Sequence, residues 1–173
     1  MSLRPAKCYR TVKRPWTRQS QKKPRKGYVK GVPDNKIHKF EDGNAKKKFN
    51  LRASLVAMER FQIRHNALEA GRVSALKQLE EIGVENYLVK VLVFPHHVLR
   101  ENAMATGAGA DRFQTGMRQS FGSPVGTAAQ VKPNQPILYA YVDASRLVMA
   151  KRAMKVASSK MPGKYKIVIE NMN

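Results

Sequence analysis

Residues 137–169 read ILYAYVDASRLVMAKRAMKVASSKMPGKYKIVI, and this stretch sets the expected fold class. Ile137 to Val142 is dense in β-branched and aromatic residues, which suit a packed strand. Asp143 or Ser145 then stands where it can cap a helix. Leu147, Ala150, Met154, Ala157 and Met161 recur every three or four residues and form one apolar stripe, while Lys151, Arg152, Lys155 and Ser159 share another face. Pro162-Gly163 ends the helix, and Tyr165 to Ile169 is again strand-like.

The same order occurs upstream. Phe49, Leu51, Ala53, Leu55 and Ala57 alternate with more polar residues, the pattern of a half-buried strand. Asn66 and Glu69 have the spacing of a capping box. Leu68, Ala75, Leu76, Leu79 and Ile82 then fall on one helical face, and Gly83 is a natural stop. Tyr87 to Phe94 (YLVKVLVF) is a second dense strand, and Gly126 to Val131 a short one. Two strand-helix-strand units predict an α/β (α+β) fold, a two-layer sandwich with two main helices over one face of a mixed β-sheet.

Between the units lies 102–127, NAMATGAGADRFQTGMRQSFGSPVGT. It has neither helical nor strand periodicity, and a loop this long inside a compact domain is usually functional or disordered. Arg112 and Arg118 are spaced among glycines, with Gln114, Thr115 and Gln119 as neutral hydrogen-bonding groups. Glycine lets backbone approach a ligand closely, so the segment suits a probe that reaches into nucleic acid.

The charge supports a polyanionic partner. The chain has 173 residues, 33 Lys and Arg against 12 acids, a net charge of +21 and a pI of about 10.5. Residues 1–48 hold 16 cations and 3 acids, 49–99 hold 6 and 5, and 100–173 hold 11 and 4. We therefore divide the chain into a basic arm with a first strand, 1–48, and a single α/β domain with a long internal loop, 49–173. In the arm, Tyr9, Trp16 and Tyr28 alternate with cations and prolines, so it is either a disordered basic tail or a segment that orders on RNA by stacking. Lys46-Lys47-Lys48 follow a Gly43-Asn44 turn signal, so a solvated basic hairpin tip is the plainer alternative to an RNA contact there. The ridge of Lys151, Arg152 and Lys155 is either a solvated face or a phosphate contact.

Other chemistries find little support. Cys8 is the single cysteine and excludes an intrachain disulfide, in keeping with a reducing compartment. No apolar run approaches a membrane span, and no hydrophobic signal region opens the chain, so a cytoplasmic protein is expected. His96 and His97 are adjacent and lack a second cysteine or acidic cluster, so structural or RNA-stacking roles suit them better than a metal. Gly107-Ala108-Gly109-Ala110 lacks the Lys-Ser/Thr ending of a phosphate-binding loop. Asp111, beside Arg112, is read as fixing loop shape. We expect no enzyme, no metal and no cofactor.

Several motifs together resemble one family. These are Arg4-Pro5-Ala6-Lys7-Cys8-Tyr9-Arg10, Gly31-Val32-Pro33-Asp34-Asn35-Lys36-Ile37, Leu68-Glu69-Ala70 with Arg72, and His97-Val98-Leu99-Arg100. The run from Ala108 to Arg118 (AGADRFQTGMR), with Phe121-Gly122-Ser123-Pro124 and Gly126-Thr127, resembles the signature of the large-ribosomal-subunit family called L-ten-e in archaea and eukaryotes and L-sixteen in bacteria. Without an obvious extension past Asn173, the chain is expected to be archaeal. The resemblance implies a structural constituent of the large subunit, bound to its rRNA beside the A site and peptidyl-transferase centre, with neighbouring large-subunit proteins and tRNA acceptor ends in the A and P sites as partners. Arg4, Lys7, Arg10, Lys13, Arg14, Trp16, Arg18, Lys22, Lys23, Arg25 and Lys26, with Lys151, Arg152 and Lys155, are then the expected rRNA contacts. Arg112, Gln114, Thr115, Met117 and Arg118 are those expected to face tRNA and the peptidyl-transferase centre. Ala103 stands where many relatives carry lysine, and Gln119-Ser120 where they carry Gly-Ala. The alternative is a free-standing RNA-binding regulator or RNA chaperone.

Overall fold

The computed structural model describes residues 4–12, 29–114, 116–118 and 120–172. Its elements run β1 (Glu41–Gly43), β2 (Leu51–Ala57), β3 (Phe61–Arg64), α1 (His65–Leu79), β4 (Tyr87–Val91), β5 (His97–Glu101), β6 (Ser123–Val131), β7 (Pro136–Val142), α2 (Leu147–Lys160) and β8 (Tyr165–Asn171). They form the expected two-layer α/β sandwich. A five-stranded sheet has the order β1-β4-β7-β2-β8, and a second sheet of three strands has the order β3-β6-β5.

Every strand pairing among the described residues is antiparallel, so the large sheet is antiparallel where a mixed one was expected. The reason lies in how the two strand-helix-strand units interlock. The large-sheet strands before and after α1, β2 and β4, run in the same direction, but β7 of the other unit lies between them. In turn β2 lies between β7 and β8, which flank α2. Each unit is thus a split β-α-β, closed only by a strand from its counterpart. As a central strand, β2 buries nearly all its residues, rather than one face only.

Both helices pack on the face that carries Ala53, Leu55, Val89, Leu138 and Ala140. The two helices pack on each other, and their buried residues include several small ones, Gly71 and Ala75 on α1 and Ala150, Ala153 and Ala157 on α2. A Cβ on Gly71 would stand 3.1 Å from the sulfur of Met161, the residue that ends α2, so the Met161 side chain packs directly over Gly71. Arg72, facing the same interior, forks onto Glu69 and also bonds Asp42 on β1. That ties the edge strand to the helix layer.

Neither expected helix cap forms. Because β3 runs directly into α1, the helix starts at His65 with Arg64 as its cap residue, and Glu69 is engaged by Arg72 instead of reaching back. At α2, a short 3-10 turn over Ala144–Arg146 precedes the helix, with no side-chain cap from Asp143. The Asp143 carboxylate instead accepts from Lys47 Nζ at 2.8 Å. Lys47 is therefore an ion-paired strut and not part of a solvated tip.

The small sheet was not anticipated. Phe61–Arg64 and His97–Glu101 are too short for alternation to declare them, and β6 begins at Ser123 instead of Gly126. The irregular loop consequently contracts from 102–127 to 102–122.

Candidate nucleic-acid interface

The loop leaves the small sheet at Glu101 and returns at Ser123, two residues that face each other across the β5–β6 pairing. Gly122 makes this stem possible. Its φ is +72°, and a Cβ there would lie 2.6 Å from the Glu101 carbonyl carbon and 2.7 Å from the Asn102 nitrogen. Arg100 fastens the returning limb: its Nη1 donates to the Phe121 carbonyl at 2.5 Å, and its guanidinium lies 3.6 Å from the Phe121 ring centroid.

Further out, the Gln114 carboxamide spans both limbs. It accepts from the Ala105 amide at 2.5 Å and donates to the Ala103 carbonyl at 3.0 Å. Gln114, expected to meet nucleic acid, is thus engaged in shaping the loop. Beyond it Arg112, Met117 and Arg118 are exposed. Phe113 is 87 % exposed, the highest among the exposed large apolar residues. It was not singled out from sequence; of the loop's two aromatics, Phe121 is held against Arg100 and Phe113 is the more exposed. At that exposure the ring is open to a partner surface. Thr115 lies outside the described residues.

The N-terminal segment docks at the base of the same loop. Arg4 Nε donates to Glu101 at 2.6 Å and Tyr9 Oη donates to its other carboxylate oxygen at 3.2 Å. The Arg4 hydrogen bond is the main reason the Glu101 carboxyl is held below its ordinary range. Gln62 on β3 fixes the segment from below: its amide N–H donates to the Arg10 carbonyl at 2.9 Å and its side chain to the carbonyls of Tyr9 and Thr11. Arg4, Lys7 and Arg10 are exposed along this strap. The other expected arm contacts, Lys13, Arg14, Trp16, Arg18, Lys22, Lys23, Arg25 and Lys26, lie outside the described residues.

Lys151, Arg152 and Lys155 are all exposed on α2, opposite its buried Ala150, Ala153, Met154 and Ala157. The two histidines noted as a pair are separated in role. His96 lies against Phe94 with ring centroids 4.4 Å apart and the planes tilted by 46°, and His97 is half-buried, which together with Arg100 pushes its pKa down. His65, likewise pushed down by burial, accepts a 3.0 Å hydrogen bond at Nδ1 from the Lys36 amide. Among the described residues no group of three or more His, Cys, Asp or Glu could hold a metal ion.

A rigid antiparallel body that holds a strap, a helix ridge and a loop, all cationic and all exposed, is built as a scaffold protein for a polyanion. Residues 15–168 match the family profile described as Ribosomal protein L16p/L10e. The chain is 48 % identical over 172 residues to the large ribosomal subunit protein uL16 of Staphylothermus marinus, covering 98 % of this chain and 95 % of that one. It is 44 % identical to the protein of the same name from Archaeoglobus fulgidus, covering 98 % and 94 %. Against that of Sulfolobus acidocaldarius it is 45 % identical, covering 100 % and 97 %. The chain belongs to the L16p/L10e ribosomal protein family, with archaeal relatives. The family is one of structural proteins, not enzymes.

Proposed function

We propose that this chain is a structural constituent of the large ribosomal subunit, with rRNA and other ribosomal proteins as its partners. On this reading it binds rRNA through its N-terminal arm and α2 ridge and presents the 102–122 loop to tRNA acceptor ends beside the peptidyl-transferase centre. Family membership supports the first part. A single structural observation carries the second: the loop is locked at its stem by Gly122 and Arg100 and across its limbs by Gln114, while Arg112, Phe113, Met117 and Arg118 are exposed.

Physically, a loop tied at its base loses less freedom when it meets its target, so more of each contact appears as affinity. Arginines then supply charge-assisted bonds to phosphates, and Phe113 a flat face for a base or sugar. The chain acts as scaffold, and chemistry belongs to the RNA. The working compartment is that of the cytoplasmic ribosome, and no helix among the described residues is long and apolar enough to cross a membrane.

Sedimentation tests this. The chain should remain with large subunits through a high-salt wash, because many phosphate contacts and a threaded loop must be released together. Recovery mainly in the unbound pool would instead indicate a free-standing RNA-binding regulator.

A further inference from the structure

Two cavities border the docked strap of residues 4–12, one at Ala6 and one at Arg10 and Thr11, and Pro162 in the turn after α2 lines both. They differ in chemistry. The first, of about 250 Å³, has an apolar floor of Ala6, Ala67, Ala70 and Pro162, with Arg64 and Lys160 at its rim. The second, of about 500 Å³, is polar and is lined by Arg10, Arg60 and Lys164. Across the two linings there are five cations and one acid, Glu59, which is 3.5 Å from Lys164.

We infer that this paired cleft holds one unstacked nucleotide of the large-subunit rRNA, with its base on the apolar floor and its flanking phosphates among Arg10, Arg60 and Lys164. The inference rests on the ribosomal reading above and gives it a site of which the sequence suggested only Arg10. An unpaired nucleotide joins a flat apolar ring to an anionic backbone, and the cleft offers a matching pair of surfaces in the same order.

Three features show a cleft whose walls are already fixed. Gln62 holds the strap through the carbonyls of Tyr9, Arg10 and Thr11. Arg64 is steadied by a 3.2 Å bond to the Arg4 carbonyl and by the Tyr9 ring 5.4 Å away, which leaves most of its five N–H donors for a ligand. On the opposite wall Gly163, with φ +92°, lies so near the Phe61 ring that a Cβ would come within 2.5 Å of it. The turn therefore sits as close to β3 as backbone allows. Asn66, half-buried in the lining, makes no side-chain hydrogen bond among the described residues. Its amide carries both donor and acceptor and is suited to read the edge of the bound base.

The test is ultraviolet crosslinking of assembled large subunits with mapping of the linked peptides, using a crosslink from the 102–122 loop as internal reference. Wild-type particles should give a crosslink between one nucleotide and the peptides around 59–67 or 160–164. Ala70→Phe fills the apolar cavity from an exposed position and should reduce that crosslink to background while the loop crosslink persists. Arg60→Glu with Lys164→Glu should do the same without touching the floor, which covers the case in which the bulky variant misfolds. If the chain stays in salt-washed subunits but its cleft peptides crosslink to another protein, to nothing, or equally well in both variants, the inference is overturned and the ribosomal reading stands. If the chain never enters subunits, both fail.

Discussion

Replacing Gly122 by alanine tests the stem of the loop, on which the functional proposal depends. Two costs apply. At φ +72° an L residue occupies the left-handed region at about 1–2 kcal/mol. The new methyl would also lie 2.6 Å from the Glu101 carbonyl carbon and 2.7 Å from its oxygen and from the Asn102 nitrogen. These are backbone atoms of a strand paired to β6, so they cannot swing aside as a flexible side chain would. Overpacking of this kind costs about 1–3 kcal/mol, for a combined loss of about 2–5 kcal/mol. Gly109→Ala is the matched control, because Gly109 has a similar φ of +81° and nothing within 4 Å of its would-be Cβ. Only the conformational cost, about 1–2 kcal/mol, should apply there. Equilibrium urea unfolding gives the global difference, and amide hydrogen exchange over residues 98–102 and 123–126 locates it. Faster exchange in both segments for Gly122→Ala alone is expected. Equal effects of the two substitutions would refute the close crossing of the limbs.

Three further outcomes are expected. Arg72→Met strands the carboxylates of Asp42 and Glu69; since both are partly exposed, thermal unfolding should register a loss of about 1–3 kcal/mol, less than for a fully buried pair, and Arg72→Lys should recover only part of it for want of a fork. His65 and His97 are pushed below the ordinary imidazole value, so the unfolded chain binds protons first: stability should be complete above about pH 6.5 and fall as pH drops below it. Melting curves at about pH 8 and about pH 5.5 check this, and His65→Gln should shrink the difference. Arg112→Ala with Arg118→Ala should leave folding and subunit entry intact, since both are exposed, yet slow tRNA accommodation by about tenfold or more in a single-turnover assay, as expected for the loss of at least one charge-assisted bond.

Much of the secondary structure was legible in the chain. The stripe Leu147, Ala150, Met154, Ala157 and Met161 is the one α2 buries, apart from a half-exposed Leu147, and Ile137 to Val142 lies inside β7. Arg112 and Arg118, cations spaced among glycines with no apolar stripe to join, are exposed, and so is Met117, which entered only through the family resemblance. Caps were misread where a neighbour competed: Lys47 engages the Asp143 carboxylate and Arg72 that of Glu69, and both are cations whose closeness a local pattern cannot register. The same holds for Gln114, whose partners Ala103 and Ala105 come near only once the loop has turned back on itself.

By itself the sequence determined the longer strands and the two helices with a buried side, because periodicity over several turns or alternations records how a segment divides between core and solvent. Only the tertiary structure decided that each strand-helix-strand unit opens to admit a strand of the other. It alone decided that Phe61–Arg64, His97–Glu101 and Ser123–Val131 form a second sheet from which the loop springs, and that the strap and the turn at Pro162 enclose a cleft. Those outcomes depend on which distant surfaces fit one another, a property of pairs of segments that no single segment carries.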